Sequence, residues 1–359
     1  MIIGINLLYL IPNQVGGTEY YARSILSALD AHDPNNNYIL FCNQENCHSF
    51  KNLSKKFKIV CLPIHASNRI ARILYEQLIF PFEILKYSCD VCYSPGYIGP
   101  ALVPGVRKVV TVHDTNWKDH PEDFSFISYW ATKLVTEFSM LFATQLIVSS
   151  DFAKQRLLHF FPFYAKKTQV VWPGIEESFK KAVATAPKPK IKKYLLTVSA
   201  FYPHKKITYV LDLFEELKKH PDFKDYSLVL IGNNGNDKQK VLDKIAILTD
   251  VHYFPKVSYS DLISYYKHAA LVIQPSIYEG FGYPVYEAIT AGKRVLVGNK
   301  KLYHLTVQKN LSEITHSVSN DIKLIKNTYK NSNTANDTAI TFFKYKRVVA
   351  DLLETFYGT

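Results

Sequence analysis

The stretch Pro275-Ser276-Ile277-Tyr278-Glu279-Gly280-Phe281-Gly282-Tyr283-Pro284-Val285-Tyr286-Glu287-Ala288 holds the densest chemistry in the sequence. It leaves an apolar run, Leu271–Gln274, that reads as a strand, and enters a helix near Pro284, where proline suits the first turn. Gly280 and Gly282 allow a tight turn whose backbone N–H groups, with the helix N-terminus, form a site for phosphate or sugar hydroxyls. Two carboxylates flank it. Glu279 in the loop can accept hydrogen bonds from a sugar, and Glu287 in the helix can reach a ribose, as acids do at other nucleotide sites.

Three further groups have the right chemistry. Lys205, with His204 beside it, follows the run Tyr194–Ser199, where a cation could stabilise charge developing on a leaving diphosphate. His113-Asp114 ends the apolar strand Val109-Val110-Thr111-Val112, at the carboxyl edge where parallel sheets bind ligands. Gly16-Gly17 reads as a strand-to-helix turn with Thr18 as N-cap, since Tyr21, Ile25 and Leu29 recur at helical spacing. Each has a plainer reading: a helix-dipole acid and a surface acid, a solvated basic face, a histidine satisfied by its neighbour, an ordinary turn.

The elements that must hold these residues are βα units. Short β-rich runs at Ile2–Leu8, Tyr38–Cys42, Val91–Ser94, Lys108–His113, Gln145–Ser149, Ser227–Ile231 and Arg294–Val297 alternate with helical patterns, including ones opening at Ser150 and near Thr208. Lys180–Lys193, rich in Lys and Ala and carrying Pro187 and Pro189, reads as an interdomain linker. The expected architecture is α/β, with a domain over 1–180 rejoined by a C-terminal helix from 340, a second domain over 181–339, and a ligand cleft between them.

Composition narrows the class. At 359 residues the chain exceeds one comfortable core, and 47% hydrophobic with 21% charged residues is a globular composition. Met1–Asn6 lacks a basic n-region and no apolar run approaches a membrane span, so a cytoplasmic protein is expected. The five cysteines do not make a secreted disulfide framework. Cys89-Asp90-Val91-Cys92 has metal-ligand spacing but no second pair to complete a site. The formal charge of +12 favours anionic partners, yet the basic residues are dispersed and no nucleic-acid module appears, which argues against nucleic acid.

The Glu279 to Glu287 segment resembles glycosyltransferase family 4, retaining enzymes of the GT-B architecture that take a sugar from a nucleotide-sugar. The resemblance extends through Gly16-Gly17-Thr18-Glu19, His113-Asp114, Ile147-Val148-Ser149-Ser150, Pro173-Gly174-Ile175 and Tyr202-Pro203-His204-Lys205, and fades after Asn299. It implies two Rossmann-like domains with parallel sheets facing across a cleft. Glu279 would contact the transferred sugar and Glu287 the ribose. Amides of Gly280, Phe281 and Gly282 would hold sugar and diphosphate, Lys205 and His204 the diphosphate, His113 the sugar, and Gly16-Gly17 would approach the diphosphate. No metal or cofactor is implied, and the acceptor hydroxyl would attack from the leaving-group face.

Two departures stand out: Ala200 replaces a usual Arg, and Pro255 alters the stretch facing the base. The segment His113-Asp114-Thr115-Asn116-Trp117 with Pro121–Ser125 resembles bacterial mannosyl- and rhamnosyltransferases of surface polysaccharide synthesis, which makes GDP-mannose the first donor expected. The acceptor would be a glycan or polyprenyl-linked oligosaccharide at an anionic membrane surface, touched by Arg69, Arg72, Phe80, Phe82, Phe160, Phe161, Lys166 and Lys167. The alternatives are a nucleotide-sugar epimerase of the same fold and a non-catalytic nucleotide-sugar or nucleic-acid binding protein.

Overall fold

A computed structural model of the chain describes residues 1–12, 14, 16–175, 177–330 and 343–358. It divides into two units, Met1–Gly174 with Phe343–Thr359, and Ile175–Phe342. The division falls before the 180/181 boundary expected from sequence.

In the first unit, β1 (Ile2–Asn6), β2 (Asn37–Cys42), β3 (Phe57–Cys61), β4 (Val91–Ser94), β5 (Arg107–Val112), β6 (Gln145–Val148) and β7 (Thr168–Val170) form one sheet in the order β3-β2-β1-β4-β5-β6-β7. Every pairing is parallel. The helices are α1 (Gly17–His32), α2 (Arg69–Leu78), α3 (Phe80–Lys86), α4 (Asn116–Asp119), α5 (Phe126–Phe142) and α6 (Asp151–Phe160). Ser150 caps α6, its hydroxyl accepting from Ala153 N at 3.0 Å. Buried clusters form around Phe41, Phe80 and Ile84, and around Trp117, Met140 and Leu157.

In the second unit, β8 (Tyr194–Val198), β9 (Ser227–Ile231), β10 (Val251–Phe254), β11 (Leu271–Gln274), β12 (Val295–Val297) and β13 (Leu311–Glu313) are ordered β10-β9-β8-β11-β12-β13, again all parallel. Its helices are α7 (Glu177–Thr185), α8 (Ile207–Leu217), α9 (Lys238–Ile247), α10 (Tyr259–His268), α11 (Tyr283–Thr290) and α12 (Val318–Lys330). Both sheets alternate strand and helix because their strands are nearly continuous apolar runs that need cover on two faces.

The last helix, α13 (Tyr345–Tyr357), belongs to the first unit. Tyr345 there shares a 2.7 Å hydrogen bond with Ser24 of α1, and Arg107 of β5 donates to Thr355 O at 3.1 Å. Residues 340–342 and 359 of the expected terminal helix lie outside the described residues.

Several expectations are corrected. The N-cap of α1 is Gly16, at φ +63°, so Thr18 lies inside the first turn. The expected linker begins inside α7, which is anchored by buried Phe179 and Val183, with the Phe179 ring 6.3 Å from that of Tyr266. Cys47 and Cys61 are paired, one local cross-link under β3. Burial pushes the thiols of Cys89 and Cys92 well up, Cys89 to about 12, so neither is a ready thiolate.

Helices α2 and α5 are inverted. In α2 the charged Arg72 and Glu76 are buried, whereas Ile70, Leu74 and Leu78 are exposed. In α5 Thr136 and Ser139 are buried beside Met140, whereas Phe126, Ile127, Trp130, Leu134, Phe138 and Leu141 are exposed. Among the described residues, no helix is long and apolar enough to cross a membrane.

Candidate functional site

An open parallel sheet binds ligands beyond the carboxyl ends of its strands, where neighbouring strands are followed by helices on opposite faces. In the second unit that point lies between β8 and β11, whose following loops carry His204-Lys205 and Glu279. The two loops touch: Ile277 N donates to His204 O at 3.0 Å, and Lys205 Nζ lies 2.7 Å from Glu279 Oε2. Both ends of that ion pair are mostly buried, with side-chain exposures of 16% and 15%. His204 is buried, stacked on Tyr202 and edge-on to Tyr278, so its ring packs between the two loops.

The glycine turn is built by its surroundings. Gly282, at φ +83°, is the N-cap of α11, and a Cβ there would meet Tyr303 Cε1 at 2.7 Å. Phe281 turns its ring inward, stacked on Tyr286 at 4.2 Å. Pro284 stands at the start of α11, and Glu287 is buried further along it. Burial pushes the Glu287 carboxyl up to about 7, and the facing Tyr266 hydroxyl only partly opposes that shift.

Sequence reasoning missed two groups here. Tyr303 is buried with its hydroxyl unpartnered among the described residues, and burial together with the charge of Glu279 raises its pKa. Ser276, fully buried in the same loop, also has an unpartnered hydroxyl. Buried polar groups normally find partners; of these two orphans, Tyr303 lies against the Glu279 loop and Ser276 within it. Tyr303 lies in the segment where the resemblance fades, and no motif announces it.

In the first unit the corresponding point lies between β1 and β4. His113 directly follows β5, and its Nε2–H donates to Pro95 O at 2.7 Å. That bond leaves Nδ1 as the unprotonated acceptor, and burial lowers the pKa to about 4, so the ring is neutral near pH 7. Tyr21 of α1 packs edge-on against it, ring centroids 4.7 Å apart. Nothing stands within 4 Å of where a Cβ would lie on Gly16 or Gly17. Only Gly16 has a positive φ, so at Gly17 the missing side chain serves open space rather than backbone strain.

A cavity of about 340 Å³ opens at the same edge, lined by Tyr9 after β1, Tyr97 after β4, Asp114 after β5, Arg69 and Arg72 of α2, and Thr132 and Thr136 of α5. The eight residues expected at a membrane surface divide. Phe80 and Phe161 are buried in the core, and Arg72 is buried against this cavity. Lys167 Nζ is occupied by Met140 O at 2.7 Å and Ala143 O at 3.0 Å, at the C-terminus of α5, and Phe160 lies under Arg156. Arg69, Phe82 and Lys166 are exposed.

Two parallel α/β units, each with its loops gathered at the turning point of its sheet, have the GT-B architecture. Residues 15–179 match the family model described as Glycosyltransferase Family 4, and residues 178–329 that described as Glycosyl transferases group 1. The two matches together span residues 15–329 and support a family-4-type glycosyltransferase.

Among curated relatives, the O-antigen chain mannosyltransferase RfbU of Salmonella typhimurium is 24% identical over 206 residues, 56% of this chain and 55% of that protein. The O-antigen chain mannosyltransferase B of Escherichia coli is 25% identical over 232 residues, 61% of this chain and 59% of that protein. The matched stretch is thus little more than half of either relative. Among solved structures, sucrose-phosphate synthase from Thermosynechococcus elongatus superposes with a TM-score of 0.76 at 15% identity, covering 100% of this chain and 98% of that one.

Proposed function

We propose that this glycosyltransferase is a retaining hexosyltransferase that moves a sugar, mannose from GDP-mannose in the first instance, onto a lipid-linked glycan in surface polysaccharide synthesis. The observation that carries the reading is the Lys205–Glu279 pair at the turning point of the second sheet. A cation for the departing diphosphate and a carboxylate for the sugar hydroxyls are there held ready, with Glu287 in the helix behind them. The O-antigen chain mannosyltransferases among its relatives support mannose as the sugar and a surface polysaccharide as its destination.

The chain's residues do little covalent work in this scheme. With a nucleotide-sugar bound, Lys205 would turn from Glu279 to the diphosphate, freeing the carboxylate for the sugar. Neutral His113 would offer Nδ1 to a sugar hydroxyl. Positioning and preorganised charge would supply the acceleration, with the leaving phosphate taking the proton of the attacking hydroxyl. No metal is required by these steps.

The exposed apolar faces of α2 and α5 support docking on a membrane surface, because so many large side chains left in water are otherwise costly. Purified protein incubated with GDP-, UDP- and dTDP-sugars and a lipid-linked acceptor should transfer from one nucleotide class with retained anomeric configuration, read by NMR. Isomerisation of the donor without acceptor would favour the epimerase, and inversion at the anomeric carbon would overturn the retaining assignment.

A further inference from the structure

The cavity in the first unit has an unusual electrical design. Arg72 is 6% exposed, and its Nε and Nη1 have no hydrogen-bond partner among the described residues. Glu76, fully buried one turn on, faces it at 3.7 Å from Nη1, close enough to attract but too far for a hydrogen bond. Glu76 is itself held by Asn6, whose Nδ2 donates to Oε1 at 3.0 Å, so the carboxylate orients Arg72 without using up its donors. Leaving a guanidinium buried and under-bonded is expensive unless something else completes it.

Arg69 adds a second cation on the same helix. Its Nη2 donates to Thr132 on α5 at 2.9 Å, which fixes the guanidinium at the rim between the two helices. Desolvation, and after it the like charge of Arg72, lowers its pKa. Both arginines occupy the first turn of α2, which contains no acid and where the macrodipole already presents positive charge. An anion in the cavity would offset all three terms at once. The cavity lining also carries Asp114, an acceptor suited to a sugar hydroxyl rather than to an anion.

The outer faces of the same two helices identify the source of that anion. Arg69 and Arg72 lie on α2 beside exposed Ile70 and Leu74, and Thr132 on α5 beside exposed Trp130 and Leu134. A molecule with a charged head between the helices could therefore keep its apolar tail against their outer faces. We infer that Arg69 and Arg72 bind the diphosphate head of a polyprenyl-linked acceptor, with its first sugar directed toward Asp114. This rests on the reading of the acceptor as lipid-linked, and it assigns the residues that would recognise one.

The test titrates full-length protein in detergent with farnesyl diphosphate, inorganic pyrophosphate and farnesol, each in the presence of saturating nucleoside diphosphate so that the donor site is filled. Farnesyl diphosphate is expected to bind more tightly than either fragment. Arg72→Lys and Arg69→Gln should each weaken it at least tenfold; Arg69 is exposed, so its variant keeps the fold even if the buried one does not. Nucleotide-sugar affinity, unchanged in both variants, reports the donor site separately, so loss of that binding in the wild-type protein would count against the glycosyltransferase reading instead. Farnesol binding as tightly as farnesyl diphosphate, or Arg69→Gln and Arg72→Lys both binding like wild type, would overturn the site. Pyrophosphate matching farnesyl diphosphate would overturn its lipid-linked source.

Discussion

Lys205 and Glu279 are joined by a 2.7 Å ion pair although they are carried by loops after different strands, β8 and β11. If the pair is a resting state that a donor opens, each partner acts on the same bound molecule. Glu279→Ala and Lys205→Ala should each reduce transfer by about 10²–10³, the usual cost of losing one preorganised charge. The double variant should lose much less than the product of the two, because neither residue works fully without the other. Wild-type rates in folded Glu279→Ala, with circular dichroism unchanged, would remove its role.

Glu287 predicts a pH dependence. With a folded pKa of about 7, its carboxyl is mostly protonated at pH 6 and mostly ionised at pH 8. If the ribose is held by the anion, nucleotide-sugar affinity should rise about tenfold across that range, as the binding-competent fraction does. Glu287→Gln should flatten the profile. Stability should run the other way. The folded value lies above the ordinary 4.5, so the contribution is complete below 4.5 and is lost as pH rises through about 7. Thermal unfolding of Glu287→Gln should therefore gain on wild type from pH 5 to pH 8.

His113 has the opposite sign. Its folded pKa of about 4 lies below the ordinary 6.5, so its contribution is complete above 6.5 and is lost as pH falls through about 4. His113→Asn should unfold at a midpoint less sensitive to pH between 6.5 and 4. Transfer by the wild-type protein should show no inflection near 6.5 from this histidine; a histidine NMR titration at 6.5 for His113 would contradict the neutral ring.

Two glycines separate strain from access. Gly282→Ala places a Cβ against Tyr303 in a left-handed conformation and should cost about 1–3 kcal/mol with loss of donor affinity. Gly17→Ala, in open space at the start of α1, should leave the unfolding midpoint unchanged or slightly higher. If the backbone there approaches the diphosphate, transfer should nonetheless fall severalfold, and unaltered kinetics would reduce Gly17 to turn chemistry.

The inverted helices predict membrane affinity. Ile127→Glu with Leu134→Glu, two exposed positions of α5, should abolish cosedimentation with anionic vesicles while leaving the unfolding midpoint nearly unchanged. Binding of the wild-type protein should weaken with salt without vanishing, since only its electrostatic part is screened.

Local signals carried far in this chain. The strands at the centre of each sheet are apolar runs and were legible as such, and Gly280 and Gly282 before Pro284 announced a loop opening a helix. The strands β3, β7, β10 and β13 were not: all four lie at sheet edges, and their partly exposed residues break the apolar run that marks a central strand. Helix α7 hid inside a Lys- and Ala-rich stretch because its two anchors, Phe179 and Val183, acquire meaning only against α10.

The sequence alone determined the alternation of strand and helix, and with it two parallel sheets, together with the residue types of the Glu279 to Glu287 segment. Those follow from periodicity and from the conformations only glycine and proline favour. Tertiary structure decided what each charge does. It set Glu279 against Lys205, and buried Glu287 deeply enough to hold its proton near neutral pH. It also turned Arg72 inward while leaving Ile70 and Leu74 in water. Ionisation, pairing and desolvation depend on distances across the fold between residues remote in sequence, and no local pattern encodes them.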